Sequence, residues 1–169
     1  MHMARTFAPS DIAAITGISP EALRLWRHEG YVRLGEAAGN TTKYSDQEAV
    51  TLLIGKEIAQ QGFTLAEAFQ VALSDEVQQI LHRIGDPNSD DASANYLFIA
   101  RDTGSESPGV KYAIHSDIES EFESQPINLK DLKFKPDGLY RALTMTTLFV
   151  NEAWRTVSSK AHHRQRAGF

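Results

Sequence analysis

The first 85 residues are cut by helix-start and helix-stop signals into pieces too short to be stable alone. Ser10 is placed to cap "DIAAIT", which stops at Gly17. Ser19 is the next cap, with Pro20 at the first helical position, where the missing N–H costs nothing. That helix runs to about Glu29, and Gly30 supplies the left-handed residue that ends it. Ser45 and Glu48 form a capping box for a helix from Asp46 to Gln61, and Thr64 and Glu67 form another. Ser74 and Asp75 open a last helix reaching about Arg83. Between the second and third helices, "YVRLGEAAGNTTKY" (31–44) holds two glycines and an asparagine between aromatic ends, which predicts a two-stranded ribbon. Isolated helices shorter than about 12–15 residues are marginal in water. Four of the five helices fall below that length and need partners to pack on.

A short helix, a turn at Gly17–Ile18 and a second capped helix have the form of a helix-turn-helix. Ile12, Ala13 and Ile15 are expected inward on the first helix, Leu23 and Trp26 on the second. Arg24, Arg27 and His28 then fall on or near the solvent side. The N-terminus of the second helix presents free N–H groups and positive dipole, which suits a phosphate.

Together, "IAAITGISPEALRLWRHEGYV", the ribbon and "KYSDQEAVTLLIGKEIAQQGFTLAEA" resemble the N-terminal domain of MerR-type regulators. The likeness rests on a Gly-hydrophobic-Ser turn, an Ala-Leu-Arg core and an aromatic two residues after the arginine. It also includes Glu-Gly before the wing, Tyr-Ser after it, and a Gly-Phe-Thr-Leu turn, over about residues 6–73. The resemblance implies a winged helix-turn-helix that binds double-stranded DNA as a homodimer, its second helix in the major groove and its wing on phosphate. The implied DNA-binding set is Ser19, Glu21, Ala22, Arg24, Leu25, Trp26, Arg27 and His28 on the helix, with Arg33, Lys43 and Tyr44 on the wing. Arg24, Arg27, Lys43 and Tyr44 would hold phosphate, and Glu21, Ala22 and Leu25 lie where base edges come within reach. Trp26 reads first as a core residue, since aromatics at helical spacing usually pack. Three departures stand out. Thr42 occupies the wing position where most relatives carry arginine. The long dimerisation helix of the family shrinks to the stripe Val77, Ile80, Leu81 and Ile84 before Gly85. There are no cysteines, so thiol-based metal sensing is not expected.

The polar, acidic run "GDPNSDDASAN" sets a domain boundary, giving a DNA-binding domain at 1–85 and a C-terminal α+β domain at 86–169. "NYLFIAR" and "VKYAIHS" alternate with period two and predict a strand pair. A long helix is predicted from Leu139 to about Ser159. The expected class is mainly α with small β. The late helix is apolar on more than one face, so Leu139, Leu143, Leu148, Phe149, Val150 and Trp154 are candidate dimerisation residues. The same domain is the expected place for an effector or protein partner, its identity open.

Net charge is −5, so any DNA-facing surface must be local. Residues 1–85 hold 7 basic and 10 acidic side chains, and residues 158–169 hold 3 basic and none acidic. No cofactor, metal or catalytic activity is expected. His115, Ser116 and Asp117 are consecutive in sequence, with no nucleophile elbow around them. His162 and His163 read as tail residues, and Asp117, Glu119, Glu121 and Glu123 as a solvated face. No leader-like apolar run opens the chain and no stretch reaches the length of a membrane span, so a cytoplasmic, nucleoid-associated protein of a bacterium or phage is expected. The leading expectation is a sequence-specific transcriptional regulator. Two alternatives keep the fold: an architectural phage-type protein, excisionase-like or packaging-like, and a winged-helix protein–protein interaction module.

Overall fold

A helix buried on every side organises the molecule. In α3 (Asp46–Gln60), residues 49–55 are buried without a break, and Ile58 joins them. A helix apolar all round must be enclosed by other elements. The computed structural model describes residues 6–38, 41–86, 94–102, 109–117 and 145–166, and within these α3 is the axis. Against it lie α1 (Pro9–Thr16), α4 (Leu65–Ala72), α5 (Asp75–Gly85) and α6 (Val150–Arg166). The second helix, α2 (Pro20–His28), packs on α1 across the turn.

Two antiparallel three-stranded sheets complete the fold. In the first, β3 (Thr41–Ser45) lies between β1 (Thr6–Phe7) and β2 (Glu36–Ala38). The ribbon is thus present as β2 and β3, with Glu36 opposite Lys43, and β1 adds a strand that the sequence pattern did not announce. In the second, β4 (Ala94–Asp102) lies between β5 (Gly109–Asp117) and β6 (Met145–Phe149). The chain is therefore mainly helical with small sheets, an N-terminal winged helix-turn-helix followed by strands and a long helix.

Two local expectations are corrected. The first helix begins at Pro9 with Ala8 as its cap, not after Ser10, because proline fits the first helical position. The Asp11 carboxylate accepts from the Ala8 N–H at 2.9 Å and holds that end instead. The long helix expected from Leu139 does not run through Phe149, and Leu139 itself lies outside the described residues. Met145–Phe149 is strand, paired with β4 from Tyr96↔Phe149 to Ala100↔Met145, and the helix begins at Val150. Short apolar runs fit either period, and the open edge of β4 decides this one.

The C-terminal helix returns to the N-terminal helices, packing on α1, α3 and α5 as well as β4. Val150, Val157 and Ala161 are buried in one continuous cluster with Ile12, Ile15, Ile54 and Leu81. Trp154 lies directly on the backbone of Gly85, where an added Cβ would sit 2.5 Å from its ring. The residue at which a domain boundary was expected is thus covered by the last helix. Among the described residues, no helix is long and apolar enough to cross a membrane.

Candidate nucleic-acid interface

The geometry of α2 follows from its ends. The Ser19 hydroxyl accepts from the Ala22 N–H at 3.1 Å, and Gly30 takes φ +79°, so the chain turns back after one short helix. Leu23 is fully buried. Trp26 is half-buried and meets Phe69 of α4 with ring centroids 5.4 Å apart and planes at 59°. Phe69 in turn rests on Gly55 of α3, where any Cβ would collide with its ring at 2.5 Å. Gly55, Phe69 and Trp26 therefore form a stack that fixes α2 on the buried axis. Trp26, placed in the DNA-binding set, packs inward on this stack.

The α1–α2 turn is held from behind by two lysines. Lys56 of α3 donates to the Thr16 carbonyl at 2.7 Å, and Lys160 of α6 donates to the Ile15 carbonyl at 2.7 Å. Two ammonium groups thus meet the negative C-terminal end of α1, where carbonyls lack helical partners.

The wing is tied to the helices by one carboxylate. Glu48 accepts from the Ser45 N–H at 2.7 Å, as the capping box predicts, and also from the Gly35 N–H at 2.7 Å. The second bond was invisible in the sequence because it joins residues 13 apart. Gly35 has φ +83°, and a Cβ there would lie 2.5 Å from Thr42 and 2.8 Å from the Tyr44 ring. Only glycine lets the wing close at that point.

Between α2 and the wing lies an open cleft of about 790 Å³, lined by Arg24, Arg27, His28 and Arg33 over a floor including Leu23 and Tyr44. Arg24, His28 and Arg33 are exposed. The Arg24 side chain makes no ion pair with Glu21 or Glu29 among the described residues. Arg27 is half-buried and donates to the Thr42 hydroxyl, bridging helix and wing. Its charge also lies close enough to the Tyr44 hydroxyl to act on it. Burial pushes the Tyr44 hydroxyl above its ordinary value of 10.0, with the Arg27 charge opposing.

Ser19, Glu21, Leu25 and Lys43 are exposed as well, and Ala22 is half-buried against the core. Tyr44, expected on phosphate, is 1% exposed and belongs to the cleft floor, since its ring fills the space beside Gly35. Among the dimerisation candidates, Val150 is fully buried in the chain's own core and Trp154 covers Gly85. Leu148 and Phe149 lie in β6, and Leu139 and Leu143 lie outside the described residues. His115, Ser116 and Asp117 lie along β5 opposite Tyr96, Asn95 and Ala94. His162 and His163 fall within α6, and Glu119, Glu121 and Glu123 lie outside the described residues. No group of metal-ligating residues is found among the described residues.

Residues 7–74 match the family model of the MerR HTH family regulatory proteins. A search of curated proteins finds no match to the chain. The matched span contains α1, α2, the wing, α3 and α4, and with them every residue that lines the cleft. It supports a DNA-binding transcription regulator in general. The match supports a MerR-type helix-turn-helix domain from Phe7 to Ser74.

Proposed function

We propose that this protein regulates transcription by binding specific double-stranded DNA sites as a homodimer, each copy laying α2 into a major groove and its wing along the backbone. The observation that carries this reading is the cleft. A chain of net charge −5 gathers Arg24, Arg27, His28 and Arg33 around one opening beside an exposed helix. Phosphate contacts of this kind position a protein on the duplex, and base contacts supply sequence preference. Arg27 bears on the missing wing arginine: its guanidinium rests against Thr42, so α2 places a positive charge at the position that lacks it, beside the wing's own Lys43.

Two copies would present two α2 helices to two half-sites. Leu139, Leu143, Leu148 and Phe149 are the residues we assign to contact between copies. Val150 and Trp154 leave that set, Val150 because the chain's own core already holds it and Trp154 because its ring covers Gly85. The protein acts by binding, without catalysis, in the cytoplasm on nucleoid DNA, and residues 86–169 are the part that would take an effector or protein partner.

Fluorescence anisotropy with a labelled duplex tests the reading. The full chain should bind at low salt. Arg24→Ala with Arg33→Ala should weaken binding by about tenfold or more on every sequence, because phosphate contacts carry little sequence information. A folded double variant that binds as tightly as the parent overturns it. A parent that binds no duplex at low salt favours the protein-interaction alternative instead.

A further inference from the structure

Large apolar side chains are exposed at two places among the described residues, Leu25 at 55% and Tyr31 at 37%. Both belong to α2 or the turn that ends it. Single exposed leucines are ordinary on protein surfaces. Here, among the described residues, the apolar exposure falls on α2 and the turn after it, which also carry Arg24, His28 and Arg33.

The helical period sorts that surface into two sides. At about 100° per residue, Glu21, Arg24, Leu25 and His28 form one exposed stripe. Pro20, Arg24, Arg27 and His28 line the cleft, while Leu25 does not. Leu25 lies about 100° around the helix from Arg24, on the margin away from the wing. With phosphate held in the cleft by the arginines, the opposite margin of α2 turns toward the groove floor. Glu21, exposed on the same stripe near the N-terminus of α2, disfavours phosphate on that side. An isobutyl group cannot donate or accept a hydrogen bond. In a major groove it has one matching feature, the 5-methyl group of thymine.

We propose that Leu25 contacts a thymine methyl in the major groove and thereby sets base preference at one position of each half-site. The proposal rests on the DNA-binding reading above. Removing one buried methyl changes affinity by about fourfold. Two symmetric half-sites would compound this to about tenfold or more.

The test begins by selecting sites from random duplexes on the full chain. Each thymine of the selected site is then replaced by deoxyuridine, which removes the methyl and keeps the pairing. The parent should lose about fourfold at one thymine per half-site. Leu25→Ala, at an exposed position, should fold normally and bind the thymine and uracil duplexes equally. A parent indifferent to uracil at every position overturns the proposal while leaving DNA binding intact. So does a Leu25→Ala variant that still discriminates. A parent that selects and binds no duplex overturns the DNA-binding reading, and this proposal with it.

Discussion

Ser45 and Ser74 hold the same position on two helices, the residue before the first turn, and only Ser45 uses its hydroxyl. Ser45 Oγ accepts from the Glu48 N–H at 3.2 Å. Ser74 Oγ is buried with no hydrogen-bond partner among the described residues. Sequence reading treats both as caps because both precede an acidic first turn, and the difference arises only when tertiary packing covers Ser74. Ser45→Ala should therefore cost about 1 kcal/mol. Ser74→Ala should be neutral or slightly stabilising, since it removes a buried polar group that has no partner. Urea titration of the two variants checks this, and equal losses would show that Ser74 caps after all. Tyr44 gives a second residue-scale expectation. Its hydroxyl holds its proton more tightly in the folded chain than in the unfolded one, because burial disfavours the phenolate. The stability this contributes is complete below about pH 10 and is lost as pH rises through the folded value. Tyr44→Phe should flatten that alkaline fall. At neutral pH it should cost at most about 1 kcal/mol, for the lost interaction with the Arg27 charge. Melting curves between pH 8 and 11 show whether the parent and the variant converge on the alkaline side.

At the scale of elements, local signals were legible and long-range ones were not. Caps at Ser19, Ser45 and Thr64, the left-handed glycines at 17 and 30, and the wing's strand pair all rest on chemistry within a few residues. The surface of α2 was legible for the same reason, so Arg24, His28 and Leu25 lie exposed as the helical period placed them. Tyr44 and β1 were missed because neighbours distant in sequence decide their burial and pairing. The last helix is the largest case. Its start depends on the edge of β4, and its inner face depends on α1, α3 and α5. We expect α6 to be part of the same cooperative unit as the helix-turn-helix. Val157 is 1% exposed, so Val157→Ala should destabilise the protein by about 2 kcal/mol. The two tryptophans report separately on the two parts, Trp26 from α2 and Trp154 from α6. In single-tryptophan variants, both signals should melt together, and Val157→Ala should shift both. A Trp26 transition that stays in place while the Trp154 transition moves would make the two ends of the chain independent. So would a 1–86 fragment that melts at the temperature of the full chain.

For the whole molecule, charge poses the sharpest question, because an acidic body must approach a polyanion. Each copy carries −5, so a dimer carries about −10 spread over its surface, while its cations facing DNA are gathered in two clefts. Salt separates the two effects by range. At 0.1 M ionic strength the Debye length is about 10 Å, so phosphates seated in the clefts feel Arg24, Arg27 and Arg33 while the distant carboxylates are screened. At 0.01 M it is about 30 Å, and the acidic body is felt as well. With about 4–8 phosphate contacts per dimer, the log of the association constant against log salt above roughly 50 mM should have a slope of about −4 to −7. That corresponds to a loss of about a hundred- to ten-thousandfold between roughly 50 and 200 mM. Below about 20 mM the slope should flatten, since long-range repulsion then grows as fast as cleft attraction. Arg24→Ala should reduce the magnitude of the slope by about two, one phosphate contact being lost from each copy of the dimer. Anisotropy titrations at six or more salt concentrations measure these values. A slope near zero, or binding that strengthens as salt is added, would mean that net charge governs the encounter and that the clefts do not hold phosphate.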